Sequence, residues 1–358
     1  MKIGLIGLPL VGKTTLYNLL CATNMPTSNF LSGRTEPNHG MARVPDMRID
    51  WLRDLYKPKR TIYAQIETTD LPGLRHGENS GGNSFLQQIR QVDALVHVVR
   101  AFNSDVEHID GSVDPLRDLD HVQAELLLAD LDLVEKRIER IKTGKKVTDE
   151  QKKEIEMLLK CQQALEDEKP LASLDFSDLE KEMMIHYGFF TQLPQLIVVN
   201  VDEAQYKQQS FPKEAEVREW ANARSFPLLP LCAAMEEEID KLPLEDRELF
   251  MADLGIEVSG SYVLAREMYA LVGLISFFTV GEDEVRAWTI NLGTEAKQAA
   301  GKIHSDLERG FIRAETASYT DLREHGSLPK LKEKGLLRLE GKEYIVKDGD
   351  ILNIRYNV

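Results

Sequence analysis

The chain opens with a short apolar run, Lys2-Ile3-Gly4-Leu5-Ile6, and Thr15 to Leu20 then carries the spacing of a helix, so a buried strand followed by a helix is expected. A polar, turn-rich stretch from Thr23 to Gly40 reads as a loop. Thr61 to Thr69 alternates as a strand does and ends at Asp70-Leu71-Pro72-Gly73. Asp93 to Val99 and Leu196 to Val199 are further continuous apolar runs. Buried strands alternating with helices predict an α/β fold with a parallel sheet covered on its faces.

From Gln123 the period changes. Leu127, Leu131, Val134, Ile138 and Ile141 recur at steps of four and three, which is coiled-coil spacing. Gly144 interrupts the run, Thr148 with Gln151 forms a capping box, and Ile155, Leu158, Gln162 and Leu165 continue the seam. An antiparallel helical hairpin closing near Pro170 is expected, inserted in the α/β domain because Leu196 to Val199 resumes the sheet. Ser177 with Glu180 caps a further helix. Towards the end, Val285 to Thr289 and Phe311 to Glu315 read as strands, and Glu295 to Leu307 as a helix. Tyr344-Ile345-Val346 and Ile351 to Arg355 flank Asp348-Gly349 as a hairpin would. These elements predict a small α+β domain.

Composition narrows the function. A chain of 358 residues suits two or three domains, and 42% hydrophobic with 29% charged residues is ordinary for a globular protein. A net charge of −15 argues against wrapping nucleic acid with the whole surface, so any such contact needs a local basic patch. Three scattered cysteines, Cys21, Cys161 and Cys232, suggest neither a disulfide framework nor a metal cluster. No leader or membrane span is expected, since the longest apolar stretch, Leu271 to Phe278, is far short of a bilayer's thickness. A reducing cytoplasm is the expected compartment.

The chemistry sits at the first strand's end. Gly7-Leu8-Pro9-Leu10-Val11-Gly12-Lys13-Thr14 between a strand and a helix is a phosphate-binding loop in its required context. Leu8 through Thr15 should cradle phosphate: main-chain N–H groups and the helix dipole face the anion, Lys13 reaches the β- and γ-phosphates, and Thr14 ligates Mg²⁺. Asp70 is the expected second carboxylate near the ion, with the Gly73 N–H at the γ-phosphate. Leu74 stands where Ras-like GTPases carry a water-orienting glutamine, and an alkyl group cannot replace it. His108 is the nearest substitute in the loop after Val99.

Base selection falls on Asn200-Val201-Asp202-Glu203. GTPases use Asn-Lys-x-Asp there, whereas Val201 replaces the lysine and Glu203 the aspartate. The extra methylene, roughly 1.5 Å, spoils bidentate geometry to guanine. Asn200 can still pair with adenine N6 and N7, so ATP is favoured over GTP. Cys232 and Ala233 follow the next apolar run, where main-chain amides approach the base.

With these residues assembled, the chain resembles the YchF-type Obg-like ATPases nearly end to end. The matching blocks include Glu36-Pro37-Asn38, Asp70-Leu71-Pro72-Gly73-Leu74, His97-Val98-Val99-Arg100, Leu128-Ala129-Asp130-Leu131, Asn200 to Glu203 and Glu284 to Thr289. The resemblance implies a P-loop domain over residues 1–124 and 191–274, an inserted coiled-coil domain over 125–190 and a β-grasp TGS domain over 275–358. It also implies Mg²⁺-dependent ATP hydrolysis, slow without a partner, by a cytoplasmic monomer that binds ribosomes and neither DNA nor membrane. His108 is then a catalytic residue beside Lys13. The basic residues of the hairpin tip, Arg137 to Lys153, and of the last module, Arg309 to Arg338, are the expected ribosome contacts. A conventional GTPase, or a ribosome-binding regulator with incidental hydrolysis, is the alternative.

Two departures carry expectations. In the family switch segment the threonine is displaced by one residue, to Thr35, a third candidate ligand for Mg²⁺. Leu10 stands where the family has an asparagine whose carboxamide oxygen helps hold K⁺ beside the phosphates. Leucine offers no ligand, so hydrolysis in KCl and in NaCl should proceed at equal rates, and strong activation by K⁺ contradicts this reading.

Overall fold

A computed structural model describes residues 1–27, 36–74, 84–106, 108–144 and 147–357. Thr35, Lys145 and Lys146 lie outside them. In chain order come β1 (Lys2–Ile6), α1 (Lys13–Cys21), β2 (Asn38–Arg43), α2 (Met47–Tyr56), β3 (Arg60–Ile62) and β4 (Gln65–Asp70). There follow α3 (Ser84–Ile89), β5 (Ala94–Arg100), α4 (Pro115–Lys142), α5 (Asp149–Glu166), β6 (Gln195–Asn200) and β7 (Leu228–Leu231). Five more strands close the sequence: β8 (Leu274–Val280), β9 (Glu284–Asn291), β10 (Phe311–Ser318), β11 (Arg338–Glu340) and β12 (Asp350–Tyr356).

The described chain divides into two compact units, residues 1–40 with 67–261 and residues 41–66 with 262–358. The first holds a sheet ordered β2-β4-β1-β5-β6-β7, parallel from β4 through β7, as the buried runs predict. Every residue of β5 and β6 is buried, which explains why these strands read as continuous apolar runs. One core of this unit joins Val99, Ile197, Val199 and Trp220 across the sheet and a covering helix.

The hairpin belongs to this unit. α4 runs unbroken from Pro115, so its first ten residues precede the expected boundary at residue 125. Asp114 caps α4 by accepting from Arg117 N, and Pro115 occupies the first turn, where a missing N–H costs nothing. Both capping boxes form, at Thr148/Gln151 and Ser177/Glu180. Along the seam, Val134, Ile138, Ile141, Leu158 and Leu165 are buried together with Cys161. Each such aliphatic side chain contributes about 1.5–3 kcal/mol relative to exposure.

The second unit draws in a segment from the first half of the chain. The run Thr61–Thr69 is not one strand: β3 pairs in parallel with β9, Arg60 opposite Glu284, while β4 enters the first sheet. The segment 41–66 thus folds with the C-terminal residues. Arg48 fixes it there, donating to Asp46 at 2.7 Å and to Asp348 at 2.7 Å, and Trp51 meets Tyr319 edge-on at 5.5 Å between ring centres. The sheet order is β11-β10-β12-β8-β9-β3. The expected hairpin at Asp348-Gly349 does not form: Ile345 makes only an isolated bridge to Glu295, and β12 pairs instead with β10 and β8. The helix read over Glu295–Leu307 is two, Ala296–Ile303 and Ser305–Arg309. The small α+β character of the unit holds.

Candidate nucleotide site

Strand β1 delivers the loop 7–12 to the amino end of α1. Glycine is required at Gly7, where a Cβ would lie 2.2 Å from Val98 O, and at two further positions. At Gly12 φ is 95°, and a Cβ would lie 2.2 Å from Asn200 Nδ2. At Gly73 a Cβ would lie 2.7 Å from Pro9 N, so the segment after β4 presses directly on the phosphate loop. Leu10 has φ 62°, a left-handed conformation that costs a β-carbon residue about 1–2 kcal/mol. The asparagine usual in the resembling family tolerates that conformation better.

The expected residues converge. A cavity of about 720 Å³ is lined by Lys13, Thr14 and Thr15 on the phosphate side, by Gly73, and by Val201, Glu203, Cys232 and Ala233 at the far end. Pro9, Leu10, Gly12 and Asn200 complete that list of expected residues. Leu8 and Val11 do not line it. Their side chains are buried, and only their carbonyls serve the loop, Leu8 O accepting from Lys13 Nζ at 2.6 Å and Val11 O from Asn200 Nδ2 at 2.9 Å.

Lys13 also donates to Gly7 O at 3.2 Å, so its buried ammonium is folded over the loop it serves. Beneath it, His97 on β5 is fully buried. Loss of water, with a smaller contribution from the Lys13 charge, pushes its imidazole down to about 3, so it stays neutral. Thr14 Oγ1 donates to Asp70 Oδ2 at 2.9 Å, and Asn38 Nδ2 reaches the same oxygen at 3.3 Å. A hydroxyl and a buried carboxylate side by side are a hard-oxygen donor set of the kind Mg²⁺ takes. Asn38 was invisible as a site residue because β2 brings it there.

At the base end Asn200 ties two segments together. It donates to Val11 O and accepts from Ala233 N at 3.1 Å, leaving one N–H and one oxygen lone pair. Glu203 opens the helix Glu203–Gln208 and pairs with Lys207 at 2.6 Å, while Asp202 caps that helix through Gln205 N at 2.9 Å. Both residues line the base end of the cavity, and each carboxylate is engaged by a protein partner. Burial raises the Cys232 thiol, which remains protonated.

One wall depends on Arg100, which the sequence marked only as part of a motif. This buried guanidinium donates to Phe102 O at 3.1 Å, Ser104 Oγ at 3.0 Å and Val106 O at 2.9 Å, and so pins the loop 102–106 that lines the cavity. Leu74 is buried, with its N–H on Gly7 O at 3.1 Å, and cannot orient water. His108 is placed by the fold rather than by its own loop. It was expected in the loop after Val99 as the substitute for a water-orienting glutamine, and it lies buried off the cavity wall with Nε2 2.9 Å from Asp118 Oδ2 on α4.

The basic surfaces are partly neutralised. Arg137 pairs with Glu154, Lys152 with Asp149, Arg309 with Asp306 and Arg338 with Asp350. Arg140, Lys142 and Lys153 make no ion pair among the described residues. No helix of the described residues is long and apolar enough to cross a membrane.

Comparison with known proteins agrees with this geometry. Residues 2–160 match a family model described as "50S ribosome-binding GTPase", and residues 274–357 match the YchF-GTPase C-terminal model, described as "Protein of unknown function (DUF933)". The chain is 43% identical over 361 residues to the Ribosome-binding ATPase YchF of Bacillus subtilis, covering 99% of each. It is 38% identical over 365 residues to Obg-like ATPase 1 of Oryza sativa subsp. japonica, covering 100% of this chain and 92% of the relative. The solved YchF GTPase of Schizosaccharomyces pombe superposes with a TM-score of 0.86 at 32% identity, over 99% of this chain and 97% of that one. A phosphate loop in its strand-to-helix setting, a base segment whose carboxylates are engaged by protein partners and likeness along the whole length lead to one conclusion: the chain belongs to the YchF family of Obg-like, P-loop nucleotide hydrolases.

Proposed function

We propose that this protein is a Mg²⁺-dependent ATPase that acts as a nucleotide-controlled switch on the ribosome in the cytoplasm. The observation that carries the ATP assignment is the base segment. Guanine recognition needs a carboxylate accepting from the purine edge, and here Asp202 caps a helix while Glu203 pairs with Lys207. Asn200 retains one donor and one acceptor, the pattern that matches adenine N7 and N6. Thr14 and Asp70 are the proposed holders of Mg²⁺, with Thr35 as a third candidate; the ion supplies charge neutralisation at the β- and γ-phosphates. Lys13 grips the same phosphates, and the Gly73 N–H senses the last one. His108 is proposed to orient the attacking water, because Leu74 cannot.

The ribosome assignment rests on what the relatives' names say they bind. Arg140, Lys142 and Lys153, together with Lys145 and Lys146, are the proposed contacts on the hairpin, and the TGS-type module supplies a second basic set. A GTPase is the second reading, since the matched model and the solved relative bear that word. Phosphate release measured with Mg²⁺ and either ATP or GTP separates the two. The proposal expects turnover of ATP to exceed that of GTP and to stop when EDTA removes the metal. Faster GTP hydrolysis, or turnover indifferent to EDTA, overturns it.

A further inference from the structure

We propose that Asp118 is a positioning residue that fixes the tautomer of His108 and makes Nδ1 its working nitrogen. The inference rests on the reading that His108 serves hydrolysis, and the geometry that carries it is local. The side chains of His108 and Asp118 are 4% and 1% exposed. The Asp110 main-chain N–H, which can only donate, reaches His108 Nδ1 at 3.1 Å. Nδ1 therefore carries the lone pair and the ring proton sits on Nε2, donated to Asp118 Oδ2 at 2.9 Å.

Asp118 is itself held. Its other oxygen, Oδ1, accepts from Arg117 Nε at 3.1 Å and Nη2 at 2.8 Å. Arg117 is tied in turn to Ser112 O at 2.7 Å. Each carboxylate oxygen thus has its own donor, and the pair sits in the first turn of α4. The ligand atoms of His108, Asp110 and Asp118 lie within 4.8 Å of one another, but Arg117 supplies the positive charge that a metal ion would bring.

The two ring nitrogens are held unequally. The bond at Nε2 goes to a carboxylate, and such charge-assisted bonds are roughly twice as strong as neutral ones. At Nδ1 the close partner is the neutral Asp110 amide at 3.1 Å, in the loop that follows the cavity-lining residues 102–106, and Arg117 Nη2 stands farther off at 3.5 Å. A rearrangement of that loop around bound nucleotide releases Nδ1 first and leaves Nε2 anchored. A water hydrogen then takes the place of the Asp110 N–H, with Asp118 orienting the ring as a carboxylate orients the histidine of a hydrolytic triad.

Asp118→Asn is the decisive variant. Arg117 has donors and no acceptor, so the asparagine must keep its oxygen on Arg117 and turn its NH₂ to Nε2. That favours the proton on Nδ1 at the expense of the Asp110 bond, and so blocks the working lone pair. Long-range ¹H–¹⁵N correlation of the histidine rings, assigned by the signal lost in His108→Ala, is expected to show an Nε2–H ring in the native protein and an Nδ1–H ring in Asp118→Asn. With Mg²⁺ and ATP, kcat of Asp118→Asn should fall about 10²-fold, the low end of what a positioned acid–base group contributes. KM should change by less than about twofold. Combining Arg117→Met with Asp118→Asn lets the amide turn its oxygen back to Nε2, and should restore the Nε2–H ring and most of kcat. An Nδ1–H ring in the native protein overturns the proposal before any variant is made. So does full activity of Asp118→Asn where His108→Ala is impaired. If His108→Ala keeps full kcat, the reading of His108 as a hydrolytic group falls, and the role of Asp118 falls with it.

Discussion

Lys13→Ala is expected to lower kcat for ATP by about 10²–10³-fold, the cost of removing one preorganised group aimed at developing charge in a water-poor site. The ammonium is buried against Leu8 O and Gly7 O, already oriented before any phosphate arrives. A triphosphate exchanges those two neutral acceptors for charged ones, so the differential gain falls on the reacting end of the nucleotide. The same substitution is expected to leave the sheet and its core in place, because the side chain reaches over the phosphate loop rather than into the apolar core. Single-turnover phosphate release checks the first statement, and a thermal melt within a few degrees of the native protein checks the second. Loss of folding together with activity contradicts this division of labour.

Asp130→Ala is expected to cost about 3–5 kcal/mol of stability, the largest single effect in the helical hairpin. The Asp130 carboxylate is buried on α4 and accepts from Phe190 N at 2.9 Å, Thr191 N at 2.8 Å and Thr191 Oγ1 at 2.8 Å. Alanine leaves those donors buried without an acceptor, at about 1–3 kcal/mol each before relaxation. Asp130→Asn, with one oxygen in place of two, should cost less than alanine. Acidity offers an independent check. Burial raises the Asp130 carboxyl to about 6, against the opposing pull of its bonds from Thr191 and Phe190. The folded state then holds a proton that the unfolded state has released between about pH 4 and pH 6. Stability from this group is complete below that window and is lost as pH rises through it, by up to about 1.4 kcal/mol per unit. Asp130→Asn removes that slope. Urea unfolding of both variants across pH 4 to 7 measures it, and an unchanged midpoint for Asp130→Ala at pH 7 contradicts the account.

How much of this was legible beforehand follows from the range of the interactions. Local signals read well. The capping boxes at Thr148 and Ser177 and the hairpin seam involve neighbours a few residues apart, and they formed as read. The phosphate loop carries its own context of strand and helix. Membership of residues 41–66 did not read, because a three-residue strand and one arginine decide it through partners more than two hundred residues away. The segment around Tyr344 has strand composition but spends its hydrogen bonds irregularly, Val346 N on Thr294 O and the Tyr344 hydroxyl on Asp350. Asp118 looked like an ordinary acidic residue in a helix's first turn, and only the fold turns His108 onto it. Asn38 was hidden because it meets Asp70 across neighbouring strands, whereas Arg100 acts on the residues just after it and was hidden because only the fold makes that loop a cavity wall.

Affinity for the two purine triphosphates, measured by isothermal titration on the native protein with Mg²⁺ present, tests the central claim most directly. A pocket whose base-end carboxylates are engaged by protein partners should bind ATP about 10-fold or more tightly than GTP, as expected for one lost bidentate pair. GTP held about a hundredfold more tightly than ATP, or neither nucleotide held, contradicts the account.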